Sequence, residues 1–259
     1  MPSLTFIGLG LNDEKGITLE GLEEAKRADI AFAEFYTNPM PNLNLQRLER
    51  LIGKKIVLLN RIQLEDQRGR ELLRAASRSE VAFLVPGDPM VATTHITLRL
   101  SLSKMGIHSR LIHGSSVSSA ICGATGLQSY KFGKTVTVPY DPPIPPSVIE
   151  TISENNRRGL HALLLLDVNV NTRTQVTVSE ALARIGSASP DGEARLAIGV
   201  ARLGALDEFV RASRIRDLVK IDFGNPPHSI VIPGKLHFVE AEALKVLCGA
   251  NDWDLSENQ

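Results

Sequence analysis

An α/β fold built on a parallel sheet is what this sequence predicts, and three observations carry the prediction. Short apolar runs alternate regularly with longer amphipathic stretches up to about residue 112. The run Val81-Ala-Phe-Leu-Val85 is apolar at every position, which is the pattern of a strand buried on both faces. Each run ends abruptly in glycine, proline or a short polar residue, as a strand does where it turns into a helix.

Taken in order, Ser3 to Ile7 reads as a strand closed by the tight loop Gly8-Leu-Gly-Leu11. That loop resembles the start of a dinucleotide fingerprint, but Asp13 stands where the third glycine belongs, so an approaching phosphate would meet a carboxylate. Thr18 is placed to cap a helix over Leu19 to Ala28, and Ile30 to Tyr36 reads as the second strand. Leu43 to Ile52 reads as a helix, Lys55 to Leu59 as a strand, and Leu64 to Arg78 as a charged surface helix. On it Arg70, Arg74 and Arg78 stand four apart, as a solvated face or as a dock for an acidic partner or RNA.

The strand Val81 to Val85 and its stop, Pro86-Gly-Asp-Pro89, form the stretch around which the chain is organised. In an open α/β sheet, ligands sit outside the carboxyl ends of the strands. Gly87 lets a ligand approach the backbone, and Asp88 offers acceptors; the same residues would also serve as an ordinary strand-to-helix turn. A helix is predicted from about Met90 to Met105 and a strand over Ile107 to Ile112. Gly114-Ser-Ser116 then opens a helix to about Gly123, where hydroxyls and free amides can hold a ligand or simply cap.

After the strand Lys134 to Val138 comes a proline-rich connector, Pro139 to Pro146, and a second α/β region. Ser147 to Asn156 reads as a helix and His161 to Asp167 as a buried strand ending in a carboxylate. Val168 to Thr177 reads as a mobile polar loop, Val178 to Ile185 as a helix, and Ser187 to Glu193 as a turn. Strands at Ala194 to Ala201 and Phe209 to Ala212 flank Arg202 to Leu206. A short helix near Ile215 to Val219, the loop Asp222 to His228, a strand Ser229 to Ile232 and a helix Val239 to Leu247 complete the region, and Ala250 to Gln259 reads as a frayed tail.

Composition narrows the function classes. With 259 residues, 43% of them apolar, the chain can bury a sizeable core. The 29 basic and 29 acidic residues cancel and only 5% are aromatic, so neither a charged field nor a stacking surface draws nucleic acid. Cys122 and Cys248 lack metal-like or redox spacing, and the six histidines are scattered, so no metal site is expected and a reduced, cytoplasmic interior is the economical setting. No apolar run approaches the roughly 18 residues of a membrane span.

Five stretches, Gly8-Leu-Gly-Leu11, Pro86-Gly-Asp-Pro-Met-Val-Ala-Thr-Thr-His95, Ser115-Ser116, Leu166-Asp167 and Asn225-Pro-Pro-His-Ser-Ile-Val-Ile-Pro-Gly-Lys-Leu-His237, lie in one linear order. Together they resemble the tetrapyrrole methylase-like class of S-adenosylmethionine-dependent methyltransferases over nearly the whole chain. Ala33-Glu-Phe-Tyr-Thr37, Tyr130-Lys-Phe-Gly-Lys134 and the Pro-Pro-His ending at His228 resemble a branch that modifies translation elongation factor 2, rather than the porphyrin and corrin enzymes.

The resemblance implies two domains: residues 1–112 on a parallel sheet, with the glycine loop and Gly-Asp-Pro turn, and residues 113–259 on a mixed sheet. It implies a homodimer, and S-adenosylmethionine folded in a cleft between the domains on Leu11, Asp88, Val91, Ser116, Val117, Leu166, Leu203 and His228. The implied reaction is trimethylation of the α-amino nitrogen of a 3-amino-3-carboxypropyl group already attached to a histidine of elongation factor 2. An α-amino group has an unperturbed pKa of about 7.7–8.0, so roughly a tenth of it is neutral near pH 7 and no catalytic residue is assigned. Asp13, Glu34 and Asp167 are carboxylates that would favour a cationic amine. The rival readings are a methyltransferase of the same fold acting on a tetrapyrrole or on ribosomal RNA ribose, and a non-catalytic nucleotide- or RNA-binding module.

Overall fold

A computed structural model describes residues 1–255 apart from 39, 41, 170, 171, 173 and 189–191. The chain divides into two compact units, Met1–Val117 and Ser118–Gln259.

The first unit holds five strands, β1 (Ser3–Gly8), β2 (Ile30–Ala33), β3 (Ile56–Leu58), β4 (Glu80–Val85) and β5 (His108–Ile112). They lie in the order β3-β2-β4-β1-β5, and every neighbouring pair is parallel. Helices α1 (Leu19–Arg27) and α2 (Leu45–Ile52) cover one face through Ala25, Leu48 and Ile52, packed with Ile7, Ala82 and Leu84. Helices α3 (Arg70–Ala76) and α4 (Ile96–Lys104) cover the other through Leu72, Ala76, Leu98 and Leu102, packed with Phe6, Val81 and Phe83. Alternate residues of β1 and β4 serve opposite helix layers, which is why Leu4, Phe6 and Ile7 of β1 and Val81 to Val85 of β4 are apolar.

The strand order fixes where a ligand is met. From β1 the chain crosses over β4 to reach β2, and from β4 it crosses over β1 to reach β5. The connections leave neighbouring strands in opposite directions, opening a crevice at the carboxyl ends of β1 and β4.

Caps set the helix ends. Thr18 Oγ1 accepts the Gly21 N–H at 3.0 Å, and Asn44 Oδ1 accepts the Arg47 N–H at 3.0 Å. Lys54 closes the other end of α1, donating to the carbonyls of Ala25 at 2.9 Å, Lys26 at 2.7 Å and Ala28.

Three predicted elements of this unit are shorter than expected. The strand over Ile30 to Tyr36 stops at Ala33 because the next residue, Glu34, folds back to accept hydrogen bonds from Tyr36 N at 3.0 Å and from Thr37 N at 3.1 Å. The helix predicted over Leu64 to Arg78 is broken into a π turn, Ile62–Asp66, and α3, with Arg68 and Gly69 between them at φ 54° and 63°. Arg70 and Arg74 stay on α3, Arg78 falls beyond it, and the three-arginine helical face does not form. The helix predicted from Met90 begins only at Ile96, because Thr93 and His95 both bond the Pro89 carbonyl and hold the intervening residues as a loop.

The second unit follows within α5 (Val117–Thr125) and carries β6 (Val136–Val138), β7 (Ala162–Leu166), a two-stranded ribbon of β8 (Val168–Asn169) and β9 (Thr174–Gln175), then β10 (Leu196–Ala201), β11 (Phe209–Arg214) and β12 (His228–Ile232). Its main sheet runs β11-β10-β12-β7-β6, antiparallel except for the parallel pair β6/β7. Around it lie α6 (Pro146–Arg157), α7 (Val178–Ser187), α8 (Ile215–Leu218), α9 (Phe238–Cys248) and α10 (Asp252–Leu255). Pro146 opens α6 at a position where a missing N–H costs nothing, and Thr177 and Glu180 form a reciprocal capping box on α7.

The proline-rich segment is therefore a link between β6 and α6 inside this unit, since β6 pairs with β7. Among the described residues of the expected mobile loop after Asp167, Val168 pairs with Gln175 and Asn169 with Thr174 as the β8/β9 ribbon; 170, 171 and 173 lie outside the described residues. The expected frayed tail contains α10, whose Asp254 and Leu255 are buried; its residues 256–259, like 189–191 of the predicted turn at Ser187 to Glu193, lie outside the described residues. Among the described residues, no helix is long and apolar enough to cross a membrane.

Candidate functional site

In the first unit the loops that leave β1, β4 and β5 meet on four glycines, Gly8, Gly10, Gly87 and Gly114. Gly10 and Gly87 form a backbone bridge, with Gly87 N donating to Gly10 O at 2.7 Å and Gly10 N to Gly87 O at 3.2 Å. Both take positive φ, 76° and 67°, where a side chain is strained. A Cβ on Gly8 would stand 2.5 Å from Gly114 N and 2.6 Å from Gly87 O, so the backbones touch only because side chains are missing. The crevice of the parallel sheet is thus lined by bare backbone.

Asp88 is fixed at the head of this crevice. It is 7% exposed; one carboxylate oxygen accepts the Met90 N–H at 2.9 Å and the other lies 2.7 Å from His113 Nδ1. Behind the loop, His95 is sealed in, with Nδ1 3.1 Å from the Pro89 carbonyl and its ring edge-on to Phe83 at 5.1 Å. Burial pushes its pKa down to about 4, so the imidazole is neutral and Nδ1–H is the donor to Pro89. Val91 is exposed beside Ala92, which takes φ 55°. Ser116 is buried, while Leu11 and Val117, the first residue of α5, are half-buried. Leu11, Asp88, Val91, Ser116 and Val117 all belong to loops or helix starts at the carboxyl edge of this sheet.

The other three predicted contacts lie in the second unit. Leu166 ends β7 and His228 begins β12, next to it in the sheet. Gln175, on the ribbon, ties them together: Nε2 donates to the Leu166 carbonyl at 2.9 Å, and Oε1 accepts the His228 N–H at 2.8 Å. Sequence reasoning passed over Gln175 because it sat in a segment read as a mobile loop. Leu203 is half-buried in the turn after β10, between Arg202 and Gly204 at φ 51° and 81°. Arg202 braces that turn against the loop before His228, donating from Nη1 to Phe223 O at 2.6 Å and Asn225 O at 2.7 Å.

His228 is 2% exposed, and its Nδ1 accepts the Val178 N–H at 3.3 Å. Burial pushes the imidazole pKa down, Arg202 adds to the effect, and the carbonyls of Asn225, Gly224 and Phe223 offset only part of it. The ring is neutral with its proton on Nε2, and that buried N–H has no hydrogen-bond partner among the described residues. A buried donor without a partner costs roughly 1–3 kcal/mol, so it fits a ligand acceptor supplied from outside the chain.

The carboxylates singled out in the sequence are committed locally. Glu34 accepts from Tyr36 N, Thr37 N and Thr37 Oγ1; burial nevertheless pushes its pKa up. Asp13 accepts the Lys15 N–H at 2.9 Å, and Asp167 accepts Val168 N at 2.8 Å and Tyr140 N at 3.3 Å. The Tyr130-Lys-Phe-Gly-Lys134 segment is a packing element: Lys131 and His161 both donate to the sealed carboxylate of Glu240, which also accepts Gln128 N at 2.9 Å and His237 N at 2.8 Å.

Comparison with known proteins agrees with this architecture. Residues 3–219 match the model of the tetrapyrrole (corrin/porphyrin) methylases. A diphthine synthase of Methanocella arvoryzae is 44% identical over 253 residues, covering 95% of this chain and 98% of that protein. Among solved structures, a diphthine synthase superposes with a TM-score of 0.91 at 37% identity, covering 99% of both chains. A putative diphthine synthase from Entamoeba histolytica superposes with a TM-score of 0.86 at 31% identity, covering 97% of this chain and 100% of that one. The chain belongs to the tetrapyrrole methylase family and groups within it with the diphthine synthases.

Proposed function

We propose that this chain transfers methyl groups from S-adenosylmethionine to the α-amino nitrogen of a 3-amino-3-carboxypropyl group borne by a histidine of translation elongation factor 2, three times in succession. The observation that carries the reading is the likeness to diphthine synthases along the whole of both chains, at an identity of 44%. The relatives and solved structures named above carry the diphthine synthase name, which favours this reading over a tetrapyrrole or ribosomal RNA methyltransferase and over a non-catalytic nucleotide-binding module.

The donor supplies a methyl group made electrophilic by its bond to a sulfonium. The residues that would hold it are Leu11, Asp88, Val91, Ser116, Val117, Leu166, Leu203 and His228. Their chemistry suits it: bare backbone at Gly8, Gly87 and Gly114 admits a close approach, and apolar Val91, Leu166 and Leu203 suit the adenine and thioether. The unpartnered His228 N–H suits a nitrogen or oxygen acceptor of the nucleoside. Rate then comes chiefly from aligning nitrogen, methyl carbon and sulfur. We also propose that the protein acts as a homodimer in the cytoplasm.

Incubation with donor labelled in the methyl group, together with elongation factor 2 with and without the 3-amino-3-carboxypropyl modification, tests this. Label is expected only on the pre-modified factor, up to three methyls per molecule. Label on the unmodified factor, on RNA or on a tetrapyrrole, or no label at all, would overturn the reading.

A further inference from the structure

We propose that His113 is the proton acceptor for the amine: its Nε2 takes a proton from the substrate ammonium and so delivers the neutral nucleophile. The inference rests on the methyl-transfer reading above and assigns the residue that reading leaves open.

The geometry is that of a carboxylate-oriented imidazole. His113 directly follows β5 and Asp88 follows β4, the two strands that flank β1, so the pair spans the end of β1. The span is possible because Gly8 and Gly114 lie in backbone contact beneath it. The Asp88 oxygen and His113 Nδ1 are 2.7 Å apart, and Asp88 is pinned in addition by the Met90 N–H. A carboxylate only accepts, so Nδ1 carries the proton and the lone pair is left on Nε2. The anchoring side chain of Asp88 is 8% exposed, whereas that of His113 is 69% exposed. The ring is thus oriented by a buried partner while its basic nitrogen faces outward, at the edge where Asp88, Ser116 and Val117 are assigned to the donor.

The surrounding charges leave the role to this pair. On β5 itself Arg110 engages Glu24 at 2.8 Å as well as Glu20, and β1 carries no ionisable residue. On β4 Glu80 binds the terminal amine of Met1, and α5 carries no charged residue. Glu34, at the end of β2, is committed to Tyr36 and Thr37. Arg99 and Lys104 are the charged residues of α4, which packs beside β5.

The step balances simply. The ammonium loses one proton to Nε2 and regains a lone pair; that pair forms the N–C bond to the methyl carbon, while the C–S pair leaves on sulfur and neutralises the sulfonium. The proton on Nε2 passes to solvent, to which the ring is open, and the same proton loss precedes each of the three transfers.

The amine stands next to its own carboxylate, which holds its pKa above the ordinary α-amino value of about 7.7–8.0, so less than about a tenth is neutral at pH 7 and a base that delivers the neutral form raises the rate by at least about tenfold there and by less as pH rises. The test compares unaltered protein with His113→Ala and His113→Gln on pre-modified elongation factor 2 between pH 6.5 and 9, with calorimetric titration of S-adenosylhomocysteine on each. Both variants are expected to bind S-adenosylhomocysteine within about threefold of normal, to methylate at least about tenfold slower at pH 7 and to close the gap to the unaltered protein as pH rises toward 9. Added imidazole is expected to restore His113→Ala. Full activity of either variant at pH 7, or a defect that is constant with pH and indifferent to imidazole, would overturn the proposal. An unaltered protein that methylates nothing would overturn the functional reading and this inference together.

Discussion

Gln175 holds His228 and Leu166 in one hydrogen-bond relay, its amide oxygen on the His228 N–H at 2.8 Å and its amide nitrogen on the Leu166 carbonyl at 2.9 Å. Two backbone groups beside assigned donor contacts thus depend on a single side chain. Replacing it with an isosteric apolar residue, Gln175→Leu, leaves both without that partner, at a cost of roughly 1–3 kcal/mol for each. Urea unfolding should show a loss in that range, and affinity for S-adenosylhomocysteine should fall by about tenfold. Unchanged affinity would mean that the relay does not shape the donor site.

The contact between Gly8 and Gly114 admits no side chain. In Gly8→Ala the new Cβ would meet Gly114 N at 2.5 Å and Gly87 O at 2.6 Å, and backbone has nowhere to yield cheaply. The expected cost is at least about 2 kcal/mol by denaturant unfolding, with loss of donor binding. Gly53→Ala is the control: it also has positive φ, 74°, but open space around its Cβ, so it should cost only about 1–2 kcal/mol and leave donor binding intact. Equal effects of the two substitutions would contradict the packing argument.

The central architecture was legible in the sequence because its signal is local. The unbroken apolar run Val81 to Val85 marks β4, Leu4, Phe6 and Ile7 before Gly8 mark β1, and the Gly-Asp-Pro turn marks the edge where a ligand belongs. What escaped was set by contacts between segments. Nothing near Ile30 to Tyr36 announces that Glu34 will turn back on Thr37 and end the strand. The helix expected from Met90 does not begin there, because Thr93 and His95 attach to the Pro89 carbonyl. The ribbon carrying Gln175 is too short and polar to be read as strands, and only its pairing reveals it. His228 drew attention through the Pro-Pro-His resemblance alone; its sealed, unpartnered Nε2 is a property of the fold.

Stability should depend on pH through His95. Its folded pKa, about 4, lies below the ordinary value of 6.5, so on acidification the unfolded chain takes up the proton first. The contribution of neutral His95 is fully present above pH 6.5 and is lost as pH falls through 4, amounting to about 3 kcal/mol. Urea midpoints measured from pH 7.5 to 4 should fall accordingly, and in His95→Gln the slope over that range should be smaller by one proton. An unchanged slope would place His95 outside the acid response.

Asp88 and His228 are both proposed contacts of one methyl donor. Calorimetric titration of S-adenosylhomocysteine into the unaltered protein, Asp88→Ala and His228→Ala tests this most directly. The prediction is one site per chain, weakened by at least about tenfold, or about 1.4 kcal/mol, in each variant. No uptake by the unaltered protein, or undiminished affinity in either variant, would contradict it.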